Sequence, residues 1–318
     1  MSHLDALRRV VVLAGGLTFE RDVSLRSGRR VADALRGVGV EAELRDADAA
    51  LLGELTAAPP DAVFIALHGG PGEDGAMRGV LDLAGVPYVG STPAACRMAF
   101  DKPTAKALVA AAGLATPAAV ALPHATFREL GAAAVLSRLL EHLPLPLLVK
   151  PAQGGSALGA TAVTDPDNLP AAMVHCFAYG ETALVETFVG GTELAVTVVD
   201  HGDGPRALPA VEIVPKEGVF DFHARYTAGC TDYFTPARVD PALLDAVADA
   251  AVRAHLALGL RDLSRTDLIL AADGTPWFLE VNVAPGMTET SLLPMAVTAA
   301  GLDLGTLCRD LLLQAVNR

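Results

Sequence analysis

The chain has 318 residues, 52% hydrophobic and 19% charged, with a formal net charge of −13 and an isoelectric point near 5.0. That length accommodates two or three domains, each with a core of its own; the acidic balance argues against nucleic acid and other polyanions as partners, leaving room for a local basic pocket. The mean hydropathy of +0.39 owes much to alanine, and the longest apolar stretch, Ala107 to Leu122, contains Gly113, Thr116 and Pro117 and is not expected to span a bilayer.

Asp5, Arg8 and Arg9 precede a strand-like run from Val10 to Leu13, without the long apolar segment of a secretory leader, so a cytoplasmic protein is expected. Cys96, Cys176, Cys230 and Cys308 form no Cys-x-x-Cys pair, and the eight histidines show no metal-ligand spacing, which disfavours zinc and a disulfide framework.

In chain order, the pattern predicts a strand at Val10 to Leu13, a helix from about Ser24 to Val38, and strands at Ala42 to Arg45 and Val63 to Leu67. This alternation is α/β with a parallel sheet. After Ser91-Thr92-Pro93 a helical stretch begins, placing a boundary near residue 100. A second lobe holds a helix, a strand at Leu147 to Lys150, a glycine loop, a strand at Ala160 to Val163, a helix near Asp167 to Ala178 and a return strand at Ala183 to Glu186. A third has strands at Glu193 to Val199 and Ala207 to Ile213 and an irregular stretch from Pro215 to Thr235 carrying Phe220, Asp221, Phe222, His223, Arg225 and Tyr226. A loop of that length is commonly a functional lid. An amphipathic helix follows, with Leu243, Leu244, Val247, Ala251, Val252 and His255 as its core face.

Four segments carry chemistry. The apolar runs Asp262 to Leu270 and Pro276 to Val281 flank the turn signal Asp273-Gly274 and should pair antiparallel. Residues two apart share a face, so Arg265 and Asp267 lie together, as do Glu280 and Asn282, an oxygen-rich set suited to Mg²⁺; solvated strand-end carboxylates are the plainer alternative. Lys150-Pro151-Ala152-Gln153-Gly154-Gly155-Ser156 lies between two strands, a hairpin whose backbone N–H groups and lysine suit phosphate, or else a flexible turn with an incidental lysine. Gly15-Gly16 with Glu20 opens the first helix but lacks dinucleotide spacing; Glu20 suits an ammonium group or simply the helix dipole. His68, in Leu67-His68-Gly69-Gly70 ahead of a helix start, is placed as a hydrogen-bond donor beside an anion site, or is an ordinary buried histidine.

Together these motifs resemble the D-alanine:D-alanine ligase family of ATP-grasp enzymes over nearly the whole chain. The resemblance rests on Gly15-Gly16 with Glu20 and Val23-Ser24, Ala66-Leu67-His68-Gly69 with Gly72-Glu73-Asp74-Gly75, Asp101-Lys102, and Lys150-Pro151 with Gly155-Ser156. It continues through Tyr226, Arg265, Asp267, Glu280, Asn282, Pro285-Gly286-Met287-Thr288 and Ser291-Leu292. It implies a three-lobed ATP-grasp fold: an N-terminal parallel-sheet α/β domain (1–100) for the first substrate, a central lobe (101–186) with the glycine-rich loop, and a C-terminal lobe (187–318) with the metal site and lid loop. The nucleotide would lie between the two α+β lobes.

The resemblance also implies ATP-dependent joining of two D-amino acids, most simply two D-alanines, through an acyl phosphate, for peptidoglycan precursors. The alternative is the same chemistry on another amino-acid pair in a specialised pathway; a nucleotide-binding protein without ligase activity is a third reading. By resemblance, Lys102, Lys150 and Arg225, with the Gly155 backbone and Ser156, face ATP phosphates, and Asp267, Glu280 and Asn282 hold two Mg²⁺ (or Mn²⁺) ions. Glu186 and the backbone near Val189 face adenine and Glu193 the ribose. Arg265 and the Gly286 N–H meet the oxyanion; Glu20 pairs with the first ammonium, His68 lies near the first carboxylate, and Ser291 with the Leu292 N–H takes the second. Ser156 and Tyr226 join Glu20 in a hydrogen-bonded set. Arg225 (usually lysine), Ala157, Thr187 and Val283-Ala284 depart from the family pattern, while the retained Tyr226 favours a dipeptide over a depsipeptide. A homodimer is the family-based expectation.

Overall fold

The computed structural model of the protein describes residues 7–216, 225, 227 and 229–318. The first sheet comprises β1 (Val10–Ala14), β2 (Ala42–Asp46) and β3 (Ala62–Ile65), parallel and in the order β2-β1-β3. The all-apolar β1 is buried throughout, as a central parallel strand covered on both faces must be. The helix Arg21–Gly37 covers one face, turning Val31, Ala32 and Leu35 inward.

The second sheet is antiparallel, in the order β4 (Ala119–Pro123), β7 (Thr182–Thr187), β5 (Leu147–Pro151), β6 (Thr161–Val163). The glycine-rich segment is the connection of the β5-β6 hairpin, as its flanking strands predict. The third and largest sheet runs β11 (Thr231–Phe234), β10 (Val211–Pro215), β8 (Thr192–Val199), β12 (Leu263–Leu270), β13 (Pro276–Asn282), with β9 (Arg206–Ala207) alongside β8. All its pairings are antiparallel.

Two expectations are corrected. The single strand anticipated from Ala207 to Ile213 is two, β9 and β10, interrupted at Leu208-Pro209-Ala210; Pro209 has no N–H for the ladder, and strands break or bulge at such a residue. The stretch 215–235 is not irregular throughout, because its far end returns as β11, pairing Ile213 with Tyr233. The edge strand β4 has no counterpart in the sequence reading. Tyr226 and the loop residues Phe220, Asp221, Phe222 and His223 lie outside the described residues.

Packing ties the lobes together. One core joins Val10, Val12, Val31 and Leu35 to Leu292, Leu293, Leu307, Leu311 and Leu312 from the helices Leu292–Ala299 and Leu304–Val316. Gly305 permits the close helix crossing, since a Cβ there would stand 2.3 Å from the Ala34 carbonyl oxygen. On the other face of the large sheet, the helices Pro93–Phe100, Lys102–Ala111 and Pro241–Ala257 share a second core with Leu194, Val196 and Phe278. Residues 139–185 make a third core under the second sheet. The segment after β3 is tied to the one after β13, His68 Nδ1 lying 2.9 Å from the Ala284 carbonyl oxygen.

Candidate active site

In that hairpin Arg265 pairs with Asn282 and Asp267 with Glu280, directly across the ladder. Arg265 and Asp267 share a face, and the guanidinium clasps the carboxylate in a two-pronged pair, Nε to Oδ1 at 2.7 Å and Nη2 to Oδ2 at 2.8 Å. Both are buried. Burial opposes the Arg265 charge, but Asp267 and Glu280 outweigh it and hold the guanidinium protonated. Burial likewise opposes ionisation of Glu280, yet Lys102, Lys150, Arg225 and Arg265 dominate and bring its carboxyl down to about 2. Lys102 Nζ lies 3.4 Å from Glu280 Oε2 and donates to the Gly154 carbonyl at 2.7 Å. Asn282 Oδ1 accepts from the Ala284 N–H at 2.8 Å, leaving one lone pair on that oxygen.

Beside these strands opens a polar cleft bordered by Glu20, His68, Ser156, Arg265, Gly286 and Ser291. Glu20 stands at the start of the helix Arg21–Gly37, and its carboxylate accepts from the Ser156 hydroxyl across the two lobes. Two glycines make room for it: a Cβ on Gly69 would lie 2.2 Å from Glu20 Oε2, and one on Gly155 3.2 Å from Oε1. Gly69 also has φ +66°, a conformation glycine adopts without strain. Burial raises the Glu20 pKa against the opposing Ser156 hydrogen bond and Arg225. At the far wall Ser291 Oγ accepts from the Thr288 N–H at 2.9 Å, and Leu292 opens the helix Leu292–Ala299.

His68 borders this cleft but is not a free donor. Its Nδ1 lies 2.9 Å from the Ala284 carbonyl oxygen and its Nε2 2.8 Å from Ser27 Oγ. Burial pulls its pKa down to about 4, so the ring is neutral near pH 7. His68 thus lies at the cleft expected for the first substrate, with both ring nitrogens bonded within the protein.

A second cavity of about 540 Å³ lies between the second and third sheets, bordered by Lys150, Glu186, Val189, Glu193, Ile269 and Leu279. Its volume falls in the roughly 300–1,000 Å³ range of small-molecule clefts. Glu186 borders it with both oxygens engaged, Oε2 by Lys106 at 2.7 Å and Oε1 by Lys150 at 2.6 Å. Burial opposes its charge, but the two lysines hold its pKa below the usual range. Burial pushes Glu193 up to about 7. The two cavities share Lys102, Gly154, Gly155, Arg225 and Glu280 as a common wall.

The sequence reading assigned no role to Glu73, Lys106 or Ser27. Glu73 borders the polar cleft, accepts from the Gly69 N–H at 3.0 Å, and is raised by burial and by Glu20 to about 8. Lys106 follows Lys102 by four residues on one helix and so shares its face, a spacing that could have drawn it in. Among the described residues no cluster of three or more His, Cys, Asp or Glu forms a metal-holding group; the anticipated set has two carboxylates and an amide.

Comparison with known proteins decides the family. The model described as D-ala D-ala ligase C-terminus matches residues 108–313, and that described as D-ala D-ala ligase N-terminus matches residues 41–91. A D-alanine:D-alanine ligase of Bordetella petrii is 43% identical over 310 residues, covering 98% of this chain and 93% of its own. One from Anaeromyxobacter dehalogenans is 41% identical over 307 residues, covering 96% of each chain. The chain belongs to the D-alanine:D-alanine ligase family. Solved structures agree: the Bacillus anthracis ligase complexed with ATP superposes with a TM-score of 0.78 at 26% identity, covering 98% of this chain and 97% of that one. The VanG D-Ala:D-Ser ligase of Enterococcus faecalis gives 0.79 at 26% identity, covering 96% and 98%. The three-sheet architecture is thus that of the ATP-grasp ligases, an N-terminal parallel-sheet domain beside two antiparallel-sheet lobes. Among the described residues no helix is long and apolar enough to cross a membrane.

Proposed function

We propose that this chain joins two D-alanines into D-alanyl-D-alanine for peptidoglycan synthesis, converting ATP to ADP and phosphate by way of a D-alanyl phosphate. The observation that carries the reading is the common wall between the two cavities, where Lys102, Arg225 and Glu280 face both a polar cleft and one of nucleotide size. Phosphoryl transfer to a carboxylate needs such a junction: two anions must approach, and fixed cations lower that cost. ATP as co-substrate puts the reaction in the cytoplasm.

In this reading residues 1–100 present the first D-alanine, with Glu20 facing its ammonium, and residues 101–186 and 187–318 enclose the nucleotide. The Glu186 carboxylate and the Val189 backbone border the adenine, Glu193 the ribose, and Lys102, Lys150, Arg225 and the Gly155 backbone the phosphates. Asp267, Glu280 and Asn282 would hold two Mg²⁺ or Mn²⁺ ions. The donor set fits: it is all oxygen, and Glu280 stays anionic at any working pH. When bound there, such ions would supply charge neutralisation at phosphate oxygens.

The second D-alanine, its carboxylate toward Ser291 and the Leu292 N–H, then attacks the acyl carbon with its amine. Negative charge gathers on the carbonyl oxygen, between Arg265 and the Gly286 N–H, before phosphate leaves. Arg265 is suited to this because Asp267 fixes its plane. The Ser156 hydroxyl on the Glu20 carboxylate closes this side of the cleft and would help to shield the acyl phosphate from water.

A mass-spectrometric survey with ATP, Mg²⁺ and single or paired D- and L-amino acids tests the proposal. D-alanyl-D-alanine is the expected main product; its absence, with another dipeptide in its place, would assign the chain to a different pathway.

A further inference from the structure

We propose that Ser27 is a positioning residue for amide-bond formation, holding the Gly286 N–H in place through one hydrogen bond of its own and a second made by His68. The inference rests on the oxyanion role given to Gly286 above.

Ser27 lies fully buried on the helix Arg21–Gly37, whose first turn adjoins Glu20. Its Oγ is 3.0 Å from the Met287 backbone nitrogen and 2.8 Å from His68 Nε2. The other ring nitrogen, Nδ1, is 2.9 Å from the Ala284 carbonyl oxygen. The chemistry permits one proton arrangement. A carbonyl oxygen only accepts, so Nδ1 carries the ring proton, and in a neutral imidazole Nε2 must then accept. The single hydroxyl proton of Ser27 goes to Nε2, and a lone pair on Oγ receives the Met287 N–H. Each donor has one acceptor along the chain Met287, Ser27, His68, Ala284.

The two ends of that chain, the Met287 nitrogen and the Ala284 oxygen, bracket Pro285-Gly286. The same turn is pinned from within by Asn282 Oδ1 on the Ala284 N–H at 2.8 Å. Tolerance at Gly286 is small, since a Cβ there would stand 2.7 Å from Ser291 Oγ. An oxyanion donor is effective only when fixed before charge develops, and displacement by about 1 Å can cost on the order of a hundredfold in rate. The helix that sets Glu20 against the first substrate therefore also aims the donor at the bond being made.

Steady-state kinetics of Ser27→Ala supply the test. The expected result is a kcat lower by about ten- to a hundredfold, an unchanged KM for ATP, and a matching loss of affinity for a phosphinate analogue of the tetrahedral intermediate. His68→Asn, whose amide nitrogen can occupy the Nδ1 position, should retain more kcat than His68→Leu; this pair decides the matter if Ser27→Ala does not fold. Parental kcat in Ser27→Ala, a KM for ATP that rises in step with the loss of kcat, or equal kcat in the two His68 variants would overturn the inference. The parent enzyme assayed alongside separates the two levels: no dipeptide from the parent sinks the ligase reading, whereas an active parent with an unimpaired Ser27→Ala sinks only the role of Ser27.

Discussion

Asp267 and Glu280 stand opposite one another across the β12-β13 ladder, and each is met by a cation from a different direction, Arg265 along the strand and Lys102 from the helix Lys102–Ala111. Their substitutions should therefore part company. Asp267→Ala strands the buried Arg265 charge and should lower stability by about 3 kcal/mol, as breaking a buried pair does. Glu280→Gln, half-buried and keeping its volume, loses only the attraction of its cationic neighbours and should be destabilised less than Asp267→Ala, yet lose dipeptide synthesis by on the order of a hundredfold. Urea denaturation and initial rates on both variants check this; equal destabilisation by the two would contradict it.

Gly69→Ala should act on the amino-acid side alone. The added methyl meets the Glu20 carboxylate at 2.2 Å and forces a positive-φ backbone. The KM for D-alanine should rise by about tenfold or more, equivalent to the ~1.4 kcal/mol of one weakened ionic contact, with the KM for ATP held. A matching rise in both constants would place the glycine outside the first-substrate cleft.

The β12-β13 site was readable in the sequence because its evidence is local. Alternation put Arg265 beside Asp267, and Asp273-Gly274 set the hairpin, whose observed register pairs Asp267 with Glu280. The glycine loop was legible for the same reason. Strand β4 was not: two of the five residues in its Ala-Val-Ala-Leu-Pro pattern are alanine, on an edge where burial leaves a weak apolar signal. Lys106 and Ser27 escaped because their partners are distant, Glu186 lying 80 residues away and Met287 260. A small polar residue on a helix carries no sign of such a contact, and a second lysine one turn along signals a shared face but not its partner. His68 shows the converse: its motif marked it as chemically engaged, but only the fold reveals that its partners are Ser27 and a backbone carbonyl.

Glu73 should leave a signature in the pH dependence of stability. Its carboxyl is raised from an ordinary 4.5 to about 8 by burial and the neighbouring Glu20. Between those values the folded state keeps a proton that the unfolded state releases, so this group's contribution declines as pH rises and levels off above pH 8. Glu73→Gln removes the titration. The variant should gain stability relative to the parent steadily from about pH 5 to pH 8, seen as a widening difference in urea midpoints; a constant difference across that window would contradict the assignment.

The central claim, that ATP activates a D-alanine carboxylate as an acyl phosphate, is tested most directly by supplying D-alanine labelled with oxygen-18 in its carboxylate and analysing the inorganic phosphate by mass spectrometry. When the amine displaces phosphate, the bridging oxygen of the acyl phosphate leaves with it. Each phosphate released with D-alanyl-D-alanine should therefore carry one labelled oxygen. Unlabelled phosphate accompanying that dipeptide would contradict the account.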